Sequence, residues 1–219
     1  MRIFQQIRHC VDTLFIREIG WFMKFVKQFF IIFFLVISVV LMIGIFMDKN
    51  YHVERTITIN TPAYEVFDYI RYLKNLDAYS FWSKIDSEMK RRYEGIDGTV
   101  GFTAYWSGNQ DVGKGRHIIT SIGDNYHLAY EIEYLDPPQP KVSASFHVQP
   151  IDQQASKVIW SMDGTMNYPL NILLPLIDMD IVLGVKLDAG LQNLKSIMDH
   201  KPDDPAISIP SIDSAELNE

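Results

Sequence analysis

Hydrophobic and polar positions divide this chain into three regimes. The first is a continuous apolar run from Gln28 to Met47, twenty residues with no charge, fifteen of them Phe, Ile, Leu or Val. As a helix it measures about 30 Å, the thickness of a bilayer's hydrocarbon core. Its composition favours insertion by about −6 kcal/mol at most, since residues near the ends count for less. Lys24 and Lys27 precede it, and Asp48 and Lys49 follow it. No comparable run follows Met47, so one span is expected, over 28–47. A cleavable signal peptide needs a shorter apolar core and a small-residue cleavage site, and Ile43-Gly44-Ile45-Phe46-Met47 offers none.

The second regime is helical periodicity before the run. Phe4, Ile7, Val11, Leu14 and Phe15 recur at helical spacing over residues 1–27, with Arg8 and Arg17 among them. Two readings stay open: an amphipathic arm on the inner leaflet, or an inward extension of the span. The third regime begins near Tyr51 and alternates with period two. Val53 to Ile59 reads as a half-buried strand. Asn60-Thr61-Pro62 then opens a helix, with Thr61 as its cap and Val66, Phe67 and Ile70 as its buried face.

Five further alternating segments and one short one follow. Met89–Tyr93 is short, and Val100–Trp106 leads into a turn at Ser107-Gly108-Asn109-Gln110. The return strand passes Gly113-Lys114-Gly115 and runs to Ile122. Tyr126, Leu128, Tyr130, Ile132 and Tyr134 share one face of the next strand, which Asp136-Pro137-Pro138 ends. Val142, Ala144, Phe146 and Val148 line another, and Val158, Trp160 and Met162 the last. A final helix is expected over 170–200, on the stripe Leu183, Leu187, Leu191, Leu194 and Met198. Pro175 splits off its first turn, and Gly190 lets another backbone approach. Residues 201–219 hold three prolines and several acids and read as a disordered tail. Hairpin-connected strands make an antiparallel sheet, and the last helix is the long element available to cover one face. The folded domain is thus an α+β unit over 51–200.

Charge adds orientation. Arg2, Arg8, Arg17, Lys24 and Lys27 precede the span, against Lys49 and Arg55 just after it. This asymmetry places the N-terminus in the cytoplasm and the domain outside it, periplasmic in a bacterium. The net charge is −7, and the domain carries the excess of acids. An acidic domain excludes nucleic acid as the expected partner. The single cysteine, Cys10, rules out a disulfide framework and a Cys-based metal site; its place in the arm also makes it a candidate for acylation.

Three motifs carry a resemblance. Val53-Glu54-Arg55-Thr56-Ile57-Thr58-Ile59-Asn60-Thr61-Pro62 with Val66-Phe67, Trp106-Ser107-Gly108 followed by Gly113-Lys114-Gly115, and Met179-Asp180 through Gly184 to Gly190-Leu191-Gln192-Asn193-Leu194-Lys195 occur in order. Together, over residues 51–199, they resemble the SRPBCC superfamily, which includes START, birch-pollen-allergen and polyketide cyclase-like proteins. The resemblance is to the polyketide cyclase/dehydrase-like branch. It implies a helix-grip fold, a curved sheet of about seven strands around a long C-terminal helix, with an apolar cavity between them.

The expected ligand-binding residues are Trp82, Phe102, Trp106, Tyr130, Phe146, Trp160, Leu183 and Leu187. Each is also a natural core residue. The six histidines are scattered, with no His-Glu-x-x-His, so no metal and no cofactor is expected. His117 and His147 sit on strands, where structural or solvent-facing roles compete with a place in the cavity. Asp178 and Asp180 read as helix-start acids rather than a catalytic pair. Gly113-x-Gly115 reads as a bulge or close approach. Arg55 either pairs with an acid or reaches solvent. Lys90-Arg91-Arg92 reads as a solvated strand end, with lipid headgroups as the alternative. Three functions follow for the domain: a membrane-anchored binder of a hydrophobic small molecule or lipid, a cyclase- or hydrolase-like enzyme on an apolar substrate, or a filled-core interaction domain. No residue pattern assigns a catalytic group, because function lives in sites and not in folds.

Overall fold

The computed structural model describes the backbone of residues 2–200 and the side chains of residues 23–200. The arm's apolar face, Cys10 and the tail at 201–219 lie outside the described residues. The chain forms two compact units. One holds the residues up to Lys49 together with Asn167–Leu173, and the other holds Asn50–Met166 together with the chain from Leu174.

In the first unit, helix α1 runs from Arg2 to Phe46 without a break. Its stretch Met23–Phe46 is long and apolar enough to cross a membrane, by length and composition. Phe29, Phe30, Phe33 and Phe34 are all exposed, and they stack on one another along the helix. The end of α1 meets the segment 167–173, which makes a 3-10 turn at Leu170–Leu173. Asn171 is fully buried there. Its Nδ2 donates to the carbonyls of Gly44 at 2.7 Å and Met47 at 3.3 Å. These bonds satisfy carbonyls that a helix end leaves without partners. A Cβ on Gly44 would collide with Ile172, so the glycine is what permits the approach.

The second unit is a seven-stranded antiparallel sheet, order β1-β7-β6-β5-β4-β3-β2. The strands are β1 (Asn50–Ile59), β2 (Lys90–Glu94), β3 (Thr103–Ser107), β4 (Lys114–Gly123), β5 (His127–Asp136), β6 (Val142–Pro150) and β7 (Ser156–Thr165). Helices α2 (Ala63–Ile70) and α3 (Leu76–Tyr79) follow β1, and α4 (Met179–Asp199) closes the unit. Alternation gave each strand its inward face. Leu128, Tyr130 and Ile132 of β5 are buried, as are Val142, Ala144, Phe146 and Val148 of β6. On α4, Leu187, Leu191, Leu194 and Met198 form one buried stripe. A fully buried leucine contributes about 2 kcal/mol.

Three expectations are corrected. Helix α4 starts at Met179, not near Leu170: Asp178 caps it, accepting from the N–H groups of Asp180 and Ile181. Residues 170–173 belong instead to the unit of α1. Thr61 does not cap α2, whose N-cap is Pro62 with no side-chain bond; its hydroxyl donates to the carbonyl of Met198. Strand β3 begins at Thr103, because Val100 and Gly101 form a turn in which Gly101 holds a φ of +90°.

The glycines expected to mark close approaches do so. Gly190 of α4 lies against the ring of Trp160, with the Tyr79 carbonyl 3.6 Å from where a Cβ would stand. Gly115 lies under the ring of Trp106, and β4 shifts register between Lys114 and Gly115.

Candidate functional site

The inner face of the sheet is organised in cross-strand rows. One row pairs Arg91, Trp106, Gly115 and Tyr134, and the next pairs Tyr93, Ala104, His117, Ile132 and Val142. A third pairs Ile119, Tyr130, Ala144 and Met162. Where these rows carry Ala104 the inner face lacks bulk, and it borders a cavity of about 210 Å³. Leu183 and Lys186 of α4, and Leu76, Asp77, Ser80, Trp82 and Ser83 of the α3 region, complete its wall.

Five of the eight expected residues line this cavity: Trp82, Trp106, Tyr130, Trp160 and Leu183. Phe102, Phe146 and Leu187 do not. Phe146 is packed between Trp160, centroids 4.7 Å apart, and Tyr130, at 6.2 Å. Phe102 stacks on Tyr93, and Leu187 is fully buried in the α4 stripe. All three belong to the filled part of the core.

The wall is not wholly apolar. His117 lies deep in the fold, its ring 4.7 Å from that of Trp106 and 5.7 Å, edge-on, from that of Tyr130. Burial lowers its pKa to about 4, an effect that Asp77 opposes and Arg91 reinforces. The imidazole is therefore neutral at pH 7. It keeps accessible surface because it faces the cavity, and it has no hydrogen-bond partner among the described residues. Tyr130 accepts a bond from Trp160 Nε1 at 3.1 Å. Burial raises the Tyr130 pKa, Trp160 offsets part of that, and the phenol stays protonated.

Arg91 is the wall residue that its position in a basic triplet concealed. Its Nε and Nη2 donate to the two Asp77 oxygens at 2.7 and 2.6 Å, a bidentate pair. Ser83 donates to the same carboxylate at 3.0 Å, and Tyr93 at 3.3 Å. Arg92 and Lys90 do not share this site: Arg92 lies over the Tyr105 ring and pairs with Glu94, and Lys90 is exposed. His147, the other candidate histidine, stacks edge-on with His127 away from the cavity wall. Among the described residues no cluster of His, Cys, Asp or Glu could hold a metal.

No protein-family model and no curated protein matches the sequence. Solved structures do match. Norcoclaurine synthase from Thalictrum flavum, in complex with dopamine and hydroxybenzaldehyde, is 16% identical at a TM-score of 0.52, over 73% of this chain and 92% of that one. A truncated form of that enzyme gives 15% and 0.52, over 71% and 98%. The protein XoxI from Bacillus cereus gives 14% and 0.50, over 67% and 94%. The fold is the helix grip, a curved antiparallel sheet closed by a C-terminal helix. At these identities the likeness extends to fold alone. What a helix-grip domain does depends on what its cavity wall carries, and here the wall carries three tryptophans together with His117, Tyr130, the Asp77–Arg91 pair and Lys186.

Proposed function

We propose that this protein is a membrane-anchored module that binds a hydrophobic small molecule or lipid-like compound between its sheet and α4. The observation that supports this reading is the cavity itself, a space of about 210 Å³ walled by Trp82, Trp106, Trp160, Tyr130 and Leu183. Pockets for small molecules are concave and mostly apolar, with few polar groups that fix orientation. Burying about 150 Å² of apolar ligand surface is worth about 4 kcal/mol before the costs of association. The structural neighbour solved with dopamine and hydroxybenzaldehyde supports small aromatic compounds as a class to try first. The apolar helix α1 supports the anchor, and the Lys and Arg asymmetry supports a cytoplasmic N-terminus with the domain outside the cytoplasm.

A second reading, catalysis on the same apolar molecule, is favoured by the convergence of His117, Tyr130 and the Asp77–Arg91 pair on one cavity. A filled-core interaction domain has less support, because the space is there. Native mass spectrometry of the full chain in lipid nanodiscs, after gentle purification, tests the binding reading. A stoichiometric apolar adduct, or its uptake from a lipid extract, is expected. An empty protein that takes up nothing contradicts it.

A further inference from the structure

We propose that the cavity selects a small, uncharged ring compound bearing a hydroxyl or carbonyl oxygen, and that His117 and Tyr130 hold that oxygen. This rests on the binding reading above and narrows it. Size comes first. A dry cavity of about 150 Å³ accommodates benzene, so about 210 Å³ takes one or two rings or a short chain. It does not enclose a whole membrane lipid.

Chemistry comes second. The wall offers flat aromatic surfaces at Trp82, Trp106 and Trp160, which suit a planar ring. His117 has no partner among the described residues and faces the cavity. Tyr130 spends its oxygen lone pair on Trp160 Nε1, and its O–H proton has no acceptor among the described residues. The two rings lie 5.7 Å apart and edge to face. A ligand oxygen in the cavity, set against the polar edges of both, would accept from the phenol and exchange a bond with the imidazole. A buried polar group left unpaired costs free energy, so a ligand that completes both is preferred over one that completes neither.

Charge comes third. Arg91 is already compensated by Asp77 in a bidentate pair. The Lys186 ammonium sits 6.0 Å from the Trp82 ring centroid, over its face. A charged group held against His117 and Tyr130 would meet a neutral partner at each and would lose its hydration.

Saturable binding to the full chain in nanodiscs at pH 7.4, with linear bilayer partitioning subtracted, provides the test. The probes are naphthalene, 2-naphthol and 2-naphthoate. The wild type is expected to bind 2-naphthol about tenfold tighter than naphthalene, and tighter than the naphthoate. His117→Leu and the near-isosteric Tyr130→Phe are each expected to cut that preference to about threefold or less, with naphthalene affinity retained. Equal affinity for naphthol and naphthalene in the wild type, or a preference that survives both substitutions, overturns the assignment. Tighter binding of naphthoate overturns its uncharged character. Saturable naphthalene binding without selectivity defeats this inference alone, whereas no saturable binding of any probe defeats the binding reading beneath it.

Discussion

Two arginines on the sheet, Arg55 of β1 and Arg91 of β2, each grip aspartate, yet they sit in different surroundings. Arg55 is saturated. Its Nη1 donates to Asp180 at 2.6 Å and to the Glu54 carbonyl, its Nη2 to the Asp180 side chain and carbonyl, and its Nε to Asp188 at 3.0 Å. Gly184 supplies the space, because a Cβ there would occupy the guanidinium's position. The result is a staple between β1 and α4. Arg91 meets one carboxylate, and its Nη1 is buried with no partner among the described residues. Its site adjoins a cavity, and the staple does not. A staple with every donor matched holds two elements together, while a partly matched cluster beside free volume leaves polar capacity for something else.

The comparison can be broken from either side. The largest expected effect is at the staple: Gly184→Leu expels Arg55 from α4 and costs about 3 kcal/mol, read as a fall in chemical or thermal stability. An unchanged melt means that Arg55 holds nothing together. Next comes Asp77→Ala, which strips Arg91 of its counter-charge. A loss of about 2 kcal/mol is expected, since hydrogen bonds to charged groups carry that order of energy and both side chains keep some solvent contact. The same substitution should alter cavity binding, and a staple mutation should not.

The two regions should also fail in different pH windows. His117 is lowered by burial from 6.5 to about 4, so the folded state binds fewer protons than the unfolded state in between. Stability therefore falls as pH drops from 6.5 to 4. Asp180 is held below the usual carboxylate range by its bond to Arg55. Its stabilising effect is present above the unfolded value of 3.8 and is lost as pH falls through the lower folded one. Denaturant titrations at several pH values of wild type and His117→Gln would show this: the slope between 4 and 6.5 flattens in the variant. A slope that persists assigns it to another group. The smallest effect is expected for Asp188→Ala, because Arg55 keeps both oxygens of Asp180 and two carbonyls; a loss larger than that of Asp77→Ala would reverse the ranking of the two sites.

Strand phase was legible because burial on one face leaves a period-two record. It placed Trp106, Tyr130 and Trp160 inward, and once inward they bordered the cavity. Phe146 carries the same record and Leu187 the helical one of α4, and neither period tells whether the space opposite is filled. Arg91 was hidden for another reason. Its partner Asp77 comes from a different element, and only the register opposite Trp106 turns it inward. The helix start was misplaced because Leu170, Ile172 and Leu173 continue an apolar pattern into Leu183. Asp178 is a local capping signal that marks the true start, whereas the bond of Asn171 to Gly44 of α1 is tertiary and leaves no local record.

The most direct test of the account is an amide and indole NMR spectrum of the full chain in nanodiscs, titrated with 2-naphthol. The account predicts saturable shifts of the Trp106 and Trp160 indole signals, with Trp160 moving because its N–H is bonded to Tyr130, and their loss when Ala104→Trp fills the cavity. Shifts that grow linearly with bilayer partitioning, or that persist when the cavity is filled, would contradict it.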